Sequence, residues 1–365
     1  VSRPSVRDGV ALIPGYHSPQ LDVPVRLNTN EAPEPPPAAF VEELRAALDE
    51  LRWNRYPDRA ASGLREAITS LESAEVPGGL TAGQVFAANG SNEVLQTVCL
   101  TYGGAGRQVA TFEPTYALHS HIAAVCGSDV VVGERGADFE LDLAEVERVV
   151  LGQRPAITFL CSPNNPTGGV LEPATVSAAL EMVEAVDGLL VLDEAYGQFA
   201  PHSALGLVGE DRNLVVTRTF SKTWSAAALR LGYLIGPTWA VAELEKVVLP
   251  YHLDAVKQVA GTLALRFRDE MVARVAHLVE ERGRVAAALG ELGVTHWPSG
   301  ANFILFRADG LAGSQVWQSL VERGVLVRDC SGWPRLSDCL RVTLGTPAED
   351  DAFLAALGAV LDTSG

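Results

Sequence analysis

Apolar and polar positions follow different rhythms along this chain, and the rhythm changes near residue 85. The first 40 residues are proline-rich and lack periodicity, ending near Glu34-Pro35-Pro36-Pro37. Proline removes donors and fixes φ, so this part predicts an extended arm, strand-like only over Val23–Leu27. Ala38–Leu51 places apolar residues at helical spacing. Asn54-Arg55-Tyr56-Pro57-Asp58 is a turn by its Pro-Asp content, and a second helix covers about Gly63–Leu71.

From Val85, short β-rich runs alternate with helical stretches. Candidate strands are Val85–Ala88, Gln108–Thr111, Asp129–Val132, Ala156–Cys161, Gly188–Asp193, Asn213–Thr217 and Tyr233–Gly236. Helices fall at about Glu93–Tyr102, Ala117–Cys126, Leu143–Val150, Thr175–Ala185 and Thr238–Leu249. That alternation predicts an α/β fold with a seven-stranded, mostly parallel sheet between helices. Ligands then belong at the carboxyl ends of the strands. A helical region over Ala255–Leu292 leads to three more strands, Phe303–Arg307, Gly324–Val327 and Leu340–Leu344. With helices near Gly313–Arg323 and Glu349–Leu361, these form a small α+β domain. The expected division is an N-terminal arm at 1–37, a large domain at 38–254, and a small domain at 255–365 with the N-terminal segment packed against it. A length of 365 residues suits two cores better than one.

Composition narrows the partners. Lys plus Arg total 28 against 45 Asp plus Glu, a formal net charge of −17. Such a surface repels phosphate backbones and anionic membranes, so neither nucleic acid nor membrane is expected as a partner. Local arginines still suit a small anion. The cysteines Cys99, Cys126, Cys161, Cys330 and Cys339 are odd in number and lack CxxC spacing, which predicts reduced thiols and a cytoplasmic protein. No apolar run reaches about 18 residues, and no signal-peptide core is visible at the N-terminus.

The stretch from Val215 to Trp224 carries the sharpest chemistry. An apolar run enters it, Thr217, Thr219 and Ser221 alternate through it, and Lys222 sits near its end. Arg230 follows eight residues later. A lysine in this setting can form a Schiff base with an aldehyde cofactor, while the hydroxyls and the arginine hold a phosphate. A solvated lysine at a strand end is the plainer reading. Other polar residues at expected strand ends decide between them. Gly90-Ser91-Asn92 lies between a strand and a helix, where free N–H groups and the dipole favour phosphate, although Ser91 or Asn92 also suits a simple N-cap. Ser162-Pro163-Asn164-Asn165-Pro166-Thr167-Gly168 is a rigid turn that can aim an amide into a site. Asp193 ends an apolar strand, where an acid is costly unless paired, and Tyr196 lies three residues on.

Together these residues describe pyridoxal 5'-phosphate chemistry. Lys222 forms the Schiff base and later acts as the proton-transfer base. Asp193 keeps the ring nitrogen protonated. Asn165 and Tyr196 bond the ring's phenolic oxygen, and Tyr116 stacks on the ring. Ser91, Asn92, Thr219, Ser221 and Arg230 hold the phosphate, with Gly90 opening the helix.

The order Asn-Pro-Thr-Gly, Asp-Glu-Ala-Tyr, then Ser-Lys with the later arginine resembles the fold-type I pyridoxal-phosphate aminotransferases. Further runs resemble the histidinol-phosphate aminotransferases: Arg26-Leu27-Asn28-Thr29-Asn30-Glu31, Asn54–Asp58, Leu249-Pro250-Tyr251-His252-Leu253, Gly300-Ala301-Asn302-Phe303, and Gly324-Val325-Leu326-Val327-Arg328-Asp329. The tail Leu336–Thr346 is especially similar, and the matches cover nearly the whole chain in order. The resemblance implies transfer of an amino group from L-histidinol phosphate to 2-oxoglutarate, in histidine biosynthesis. It implies that Tyr56 reaches the cofactor phosphate of a neighbouring subunit, hence a homodimer. Arg341 matches the arginine that grips a carboxylate, for which its planar fork is suited. Arg328 matches a substrate-phosphate contact, although a salt bridge to Asp329 also suits it. Tyr16 matches an aromatic of the covering arm, and Asn30 joins Tyr16, Tyr56, Arg328 and Arg341 as substrate-binding.

Two departures stand out: Ala32 where the family often has asparagine, and Ala228 where it often has glycine, beside Arg230. Neither removes a reacting group. An aromatic amino-acid aminotransferase and a phospho-amino-acid decarboxylase use the same cofactor residues. A non-catalytic regulatory module that binds the cofactor is a rival of another class, and it usually carries an added DNA-binding segment. His119 and His121 are two apart and make a poor metal pair, so no metal is expected. No G-x-G-x-x-G loop opens a helix. Trp53, Trp224, Trp239, Trp297, Trp317 and Trp333 are assigned mostly to core or interface.

Overall fold

The computed structural model describes residues 3–11, 13, 15 and 20–363. The N-terminal part holds α1 (Asp8–Ala11), β1 (Val25–Leu27), α2 (Ala38–Asp49) and α3 (Ser62–Glu72). The alternating part runs β2 (Val85–Ala88), α4 (Ser91–Tyr102), β3 (Gln108–Glu113), α5 (Leu118–Val125), β4 (Asp129–Glu134), α6 (Leu143–Gln153), β5 (Ile157–Cys161), α7 (Pro173–Glu184), β6 (Leu189–Asp193), β7 (Leu214–Thr219), β8 (Gly232–Ile235) and α8 (Thr238–Val247). Then come α9 (Ala255–Ala264), α10 (Arg268–Glu291), β9 (Thr295–His296), β10 (Phe303–Arg307), α11 (Gly313–Glu322), β11 (Val325–Asp329), β12 (Leu340–Thr343) and α12 (Pro347–Asp362).

The seven strands expected from the sequence form one sheet, in the order β2-β8-β7-β6-β5-β3-β4. Only β8 runs antiparallel to its neighbours. Residues along each central strand alternate between two cores. Leu189 and Val191 face the core built with α4, α5 and α8. Leu190 and Leu192 face the core that includes α6 and α7. Burial on both faces explains why these strands are nearly continuous apolar runs. Gly232 on β8 lets the strand pass close to the start of α4: a Cβ there would lie 2.3 Å from the Ser91 nitrogen.

The second sheet has the order β1-β11-β12-β10-β9. Its edge strand β1 comes from the N-terminal segment and pairs in parallel with β11, Leu27 opposite Val327. The short strand β9 has no apolar alternation to announce it. The expected continuous helix over 255–292 is divided by a 3-10 turn at Leu265–Phe267. Ala260, Ala264 and Met271 pack into the large-sheet core, whereas Leu278, Val285 and Leu289 belong to the second core. The chain thus passes from one core to the other within α10. Among the described residues, no helix is long and apolar enough to cross a membrane.

Candidate active site

Parallel strands β5, β6 and β7 end side by side, with Cys161 opposite Asp193 and Asp193 opposite Thr217. The backbone beyond these ends, the first turn of α4 and the sheet pair β11/β12 enclose a cleft. It is lined by Asn28, Asn30, Ser91, Asn92, Tyr116, Asn165, Asp193, Tyr196, Thr219, Ser221, Lys222, Arg230, Arg328, Trp333 and Arg341, among others. Nearly every residue singled out in the sequence is therefore in one place.

Lys222 Nζ donates to the carbonyl of Thr29 at 3.0 Å. Burial, reinforced by the charge of Arg341, pulls its pKa from the usual lysine range down to about 7. Near neutral pH a substantial share of this amine is the free base, which is the form that attacks a carbonyl or takes a proton.

Asp193 is buried, and three donors surround it. Oδ1 accepts from the Ala195 amide at 3.0 Å and from Thr217 Oγ1 at 3.3 Å. Oδ2 lies 3.0 Å from His119 Nε2. His119 is fully buried, stacks on Phe159 at 4.7 Å and meets Tyr116 edge-on. Sequence reasoning weighed His119 only as half of a metal pair and missed this contact. The register offers no local signal for it, because helix α5 and strand β6 meet only in three dimensions.

Asn165 and Tyr196 sit beside Arg341. Arg341 donates from Nη1 to Asn165 Oδ1 at 2.5 Å and from Nη2 to the Asn28 carbonyl at 3.0 Å. With its oxygen so engaged, Asn165 presents its NH2 group to the cleft. Burial raises the Tyr196 pKa to about 12, so the phenol keeps its proton. Its oxygen accepts from Asn30 Nδ2 at 2.8 Å. Asn30, expected to touch substrate, lines the cleft, but its amide also accepts from Thr343 Oγ1 at 2.9 Å. It holds Tyr196 to the second sheet.

The anion end is built on α4. Gly90 precedes that helix with φ 83°, and a Cβ there would come within 2.9 Å of Arg230 Nη2. The helix starts at Ser91 with no side-chain cap, so its first N–H groups and dipole point at the cleft. Arg230 adopts φ 52° after a 3-10 turn over Ala227–Leu229, and its Nη1 donates to Ser221 Oγ at 3.2 Å. Thr219 Oγ1 accepts from the Ser221 amide at 3.1 Å. Asn92 Oδ1 accepts from the Tyr116 hydroxyl at 3.1 Å, which ties the aromatic to the same helix.

Arg328 and Arg341 are opposite each other in the β11/β12 register. The Arg341 guanidinium lies 5.1 Å from the Phe303 ring centre, and that of Arg328 lies 5.4 Å from the Trp333 ring. Trp333, one of six tryptophans assigned mostly to core or interface, packs against a small apolar cluster and also lines the cleft. One expected residue is not gathered here. Tyr56 is 79% exposed and stacks on Tyr251 at 4.4 Å, outside the cleft of its own chain. Tyr16 lies outside the described residues.

Comparison with known proteins agrees with this arrangement. The family model for aminotransferase class I and II matches residues 23–357. The histidinol-phosphate aminotransferase of Frankia casuarinae is 45% identical, over 98% of this chain and 91% of that protein. That of Corynebacterium efficiens is 42% identical, over 93% of this chain and 91% of its own length. A crystal structure of histidinol-phosphate aminotransferase from Sinorhizobium meliloti in complex with pyridoxal-5'-phosphate superposes with a TM-score of 0.87. Its identity is 22%, and the match covers 100% of this chain and 99% of that one, so it speaks for the fold. The fold class expected from the sequence, that of the fold-type I transferases, is the one observed. With the matched residues spanning both sheets and the cleft between them, the chain belongs to the class I and II aminotransferase family.

Proposed function

We propose that this chain is a pyridoxal-phosphate-dependent aminotransferase that exchanges amino groups between L-histidinol phosphate and 2-oxoglutarate. The products are imidazole acetol phosphate and L-glutamate, a step of histidine biosynthesis. The observation that carries the reading is one cleft holding a lysine with a pKa near 7, a buried aspartate, and two opposed arginines. The names of the relatives from Frankia casuarinae and Corynebacterium efficiens support the substrate.

The cleft fits the cofactor on three observations. The uncapped start of α4, with Ser91, Asn92, Thr219, Ser221 and Arg230 around it, suits a phosphate. Asp193, at the far side, is a buried carboxyl suited to a protonated ring nitrogen. Lys222 carries the depressed amine needed for covalent attachment. Bound there, the cofactor supplies an electron sink for the substrate's Cα–H bond.

The chain's own residues would then divide the work. Tyr116 would cover one face of the ring, and Asn165 and Tyr196 would donate to its phenolic oxygen. Lys222 Nζ, freed when substrate binds, would take the proton from the substrate's Cα. Arg341 would hold the carboxylate of glutamate. Arg328 would hold either the distal carboxylate of glutamate or the phosphate of histidinol phosphate, so one pocket serves both halves of a ping-pong cycle. Asn30 and Tyr16 would complete the substrate side.

Tyr56 would act from a second copy of the chain. Its exposure, with Trp53 at 72% and Leu249 at 77% exposed nearby in sequence to Tyr56 and Tyr251, supports a homodimer interface there. Five free thiols, four of them buried, support a cytoplasmic location.

The test is a half-reaction screen of the cofactor-loaded protein against L-histidinol phosphate, L-glutamate, phenylalanine, tyrosine and threonine phosphate. Rapid loss of the cofactor's aldehyde absorbance with histidinol phosphate and glutamate is expected. Conversion with the aromatic amino acids alone, or release of CO2 from threonine phosphate, would reject the substrate assignment.

A further inference from the structure

Two residues beyond Arg341 on β12 stands Thr343, whose side chain leaves the same face of that strand. It is buried and is not among the side chains that line the cleft. Its hydroxyl oxygen accepts from the Asn30 backbone amide at 3.0 Å, and its single proton goes to Asn30 Oδ1 at 2.9 Å. The Asn30 side chain then turns its NH2 toward Tyr196, donating from Nδ2 to the phenol oxygen at 2.8 Å. The backbone beneath is held from several sides. Asn30 adopts φ 54°, a left-handed conformation that asparagine tolerates better than most residues. Asn302 Nδ2 donates to the Asn30 carbonyl at 3.3 Å, and Arg341 Nη2 donates to that of Asn28 at 3.0 Å. Thr343, Asn30 and Tyr196 are only 3%, 1% and 5% exposed, so water does not compete for these bonds.

The direction of each bond fixes the next. A hydroxyl has one proton, and a primary amide has distinct donor and acceptor ends. With Asn30 Oδ1 taken by Thr343, only its NH2 faces Tyr196, and the phenol oxygen accepts a proton from that side. The Tyr196 proton is thereby left for the cleft, which Tyr196 lines. Without the Thr343 hydroxyl, the Asn30 amide could rotate by half a turn, offer Oδ1 to the phenol and draw its proton away from the cleft. We propose that Thr343 is a positioning residue for amino transfer: through Asn30 it fixes Tyr196 as a hydrogen-bond donor to the group bound in the cleft. This rests on the reading of that group as pyridoxal phosphate, whose phenolic oxygen would receive the bond.

A donor to the phenolic oxygen stabilises its anion, and so lowers the pH at which the bound cofactor's absorbance titrates. The test is a spectrophotometric pH titration of the cofactor-loaded parent, Thr343→Val, Thr343→Ser and Tyr196→Phe. Thr343→Val keeps the shape and removes the hydroxyl. It is expected to raise the midpoint by about half a pH unit to one pH unit, the scale of one hydrogen bond. Thr343→Ser keeps the hydroxyl and should restore the parent midpoint. In a Tyr196→Phe background the donor is already gone, so Thr343→Val should add nothing. A midpoint unmoved by Thr343→Val, or moved equally in the Tyr196→Phe background, would overturn the proposal, as would a failure of Thr343→Ser to restore it. Should Thr343→Val fail to fold, Thr343→Ala removes the same hydroxyl with less bulk and is read in the same way. A second readout needs no cofactor: the Cζ resonance of Tyr196 in unloaded protein carrying isotope-labelled tyrosine, assigned with Tyr196→Phe. It should move in Thr343→Val and return in Thr343→Ser, and an unchanged resonance overturns the proposal. A parent protein that binds no pyridoxal phosphate, or whose bound absorbance does not titrate, rejects the cofactor reading, while the Tyr196 resonance still decides the role of Thr343.

Discussion

Two buried arginines on the same chain, Arg218 and Arg341, are compensated in opposite ways. Arg218, at the end of β7, bonds Glu194 at 2.9 Å and Glu72 at 2.6 Å, with Glu75 at 3.3 Å. Burial opposes its charge, but Glu194 and Glu72 outweigh that and hold the guanidinium charged well beyond the usual range. Arg341 is as deeply buried, yet its hydrogen-bond partners are the neutral oxygens of Asn165 and Asn28. Its Nε has no partner among the described contacts. Carboxylates turn a buried arginine into a fastener, whereas neutral acceptors aim it and leave its charge for a ligand. The fastener lies just behind the cleft: Glu194 follows Asp193, and Arg218 precedes Thr219. It locks the ends of β6 and β7 to α3.

The contrast can be broken by substitution. On the proposed reading Lys222 is both covalent anchor and base, so Lys222→Ala is expected to lower transamination by about four orders of magnitude. Single-turnover absorbance would show it, and a variant retaining a tenth of the parent rate would remove Lys222 from the chemistry. Arg218→Met should cost about 3–5 kcal/mol of stability, because it leaves buried carboxylates unpaired. Chemical denaturation measures this, and an unchanged midpoint would contradict the fastener. Arg341→Gln should do the reverse. It should raise KM for glutamate by roughly ten- to a hundredfold, the scale of a charged hydrogen bond, while the melting temperature holds or rises. A destabilised protein with normal KM would place Arg341 with Arg218. His119→Phe, which keeps a flat ring against Phe159, should slow turnover roughly tenfold without changing KM. If turnover were normal, the contact with Asp193 would be packing only.

Much of this was legible in the residues. Seven strand positions and the polar groups at their ends followed from alternation and turn chemistry, because parallel buried strands are simple patterns. Lys222, Asp193 and Arg230 could be placed at one end of the sheet for the same reason. What escaped were contacts made across the fold. His119 reaches Asp193 from α5, Trp333 reaches Arg328 along a loop, and β1 joins a sheet whose other strands lie some 300 residues later. The split at Leu265–Phe267 escaped too, since helical spacing continues through it. Periodicity reports which face is buried, not what it is buried against.

Lys222 is also where the account is most exposed, because the chain offers the cofactor only three lysines: Lys222, Lys246 and Lys257. Its depressed pKa gives the sign of the pH dependence. The free amine, and with it the attachment rate, should rise through about pH 7 and level off above it. The direct measurement is borohydride fixation of pyridoxal phosphate across that range, followed by peptide mapping. The predicted result is a label on Lys222 alone, formed with a midpoint near pH 7. A label on Lys246 or Lys257 in its place, or a midpoint near the ordinary lysine value of about 10.4, would contradict it.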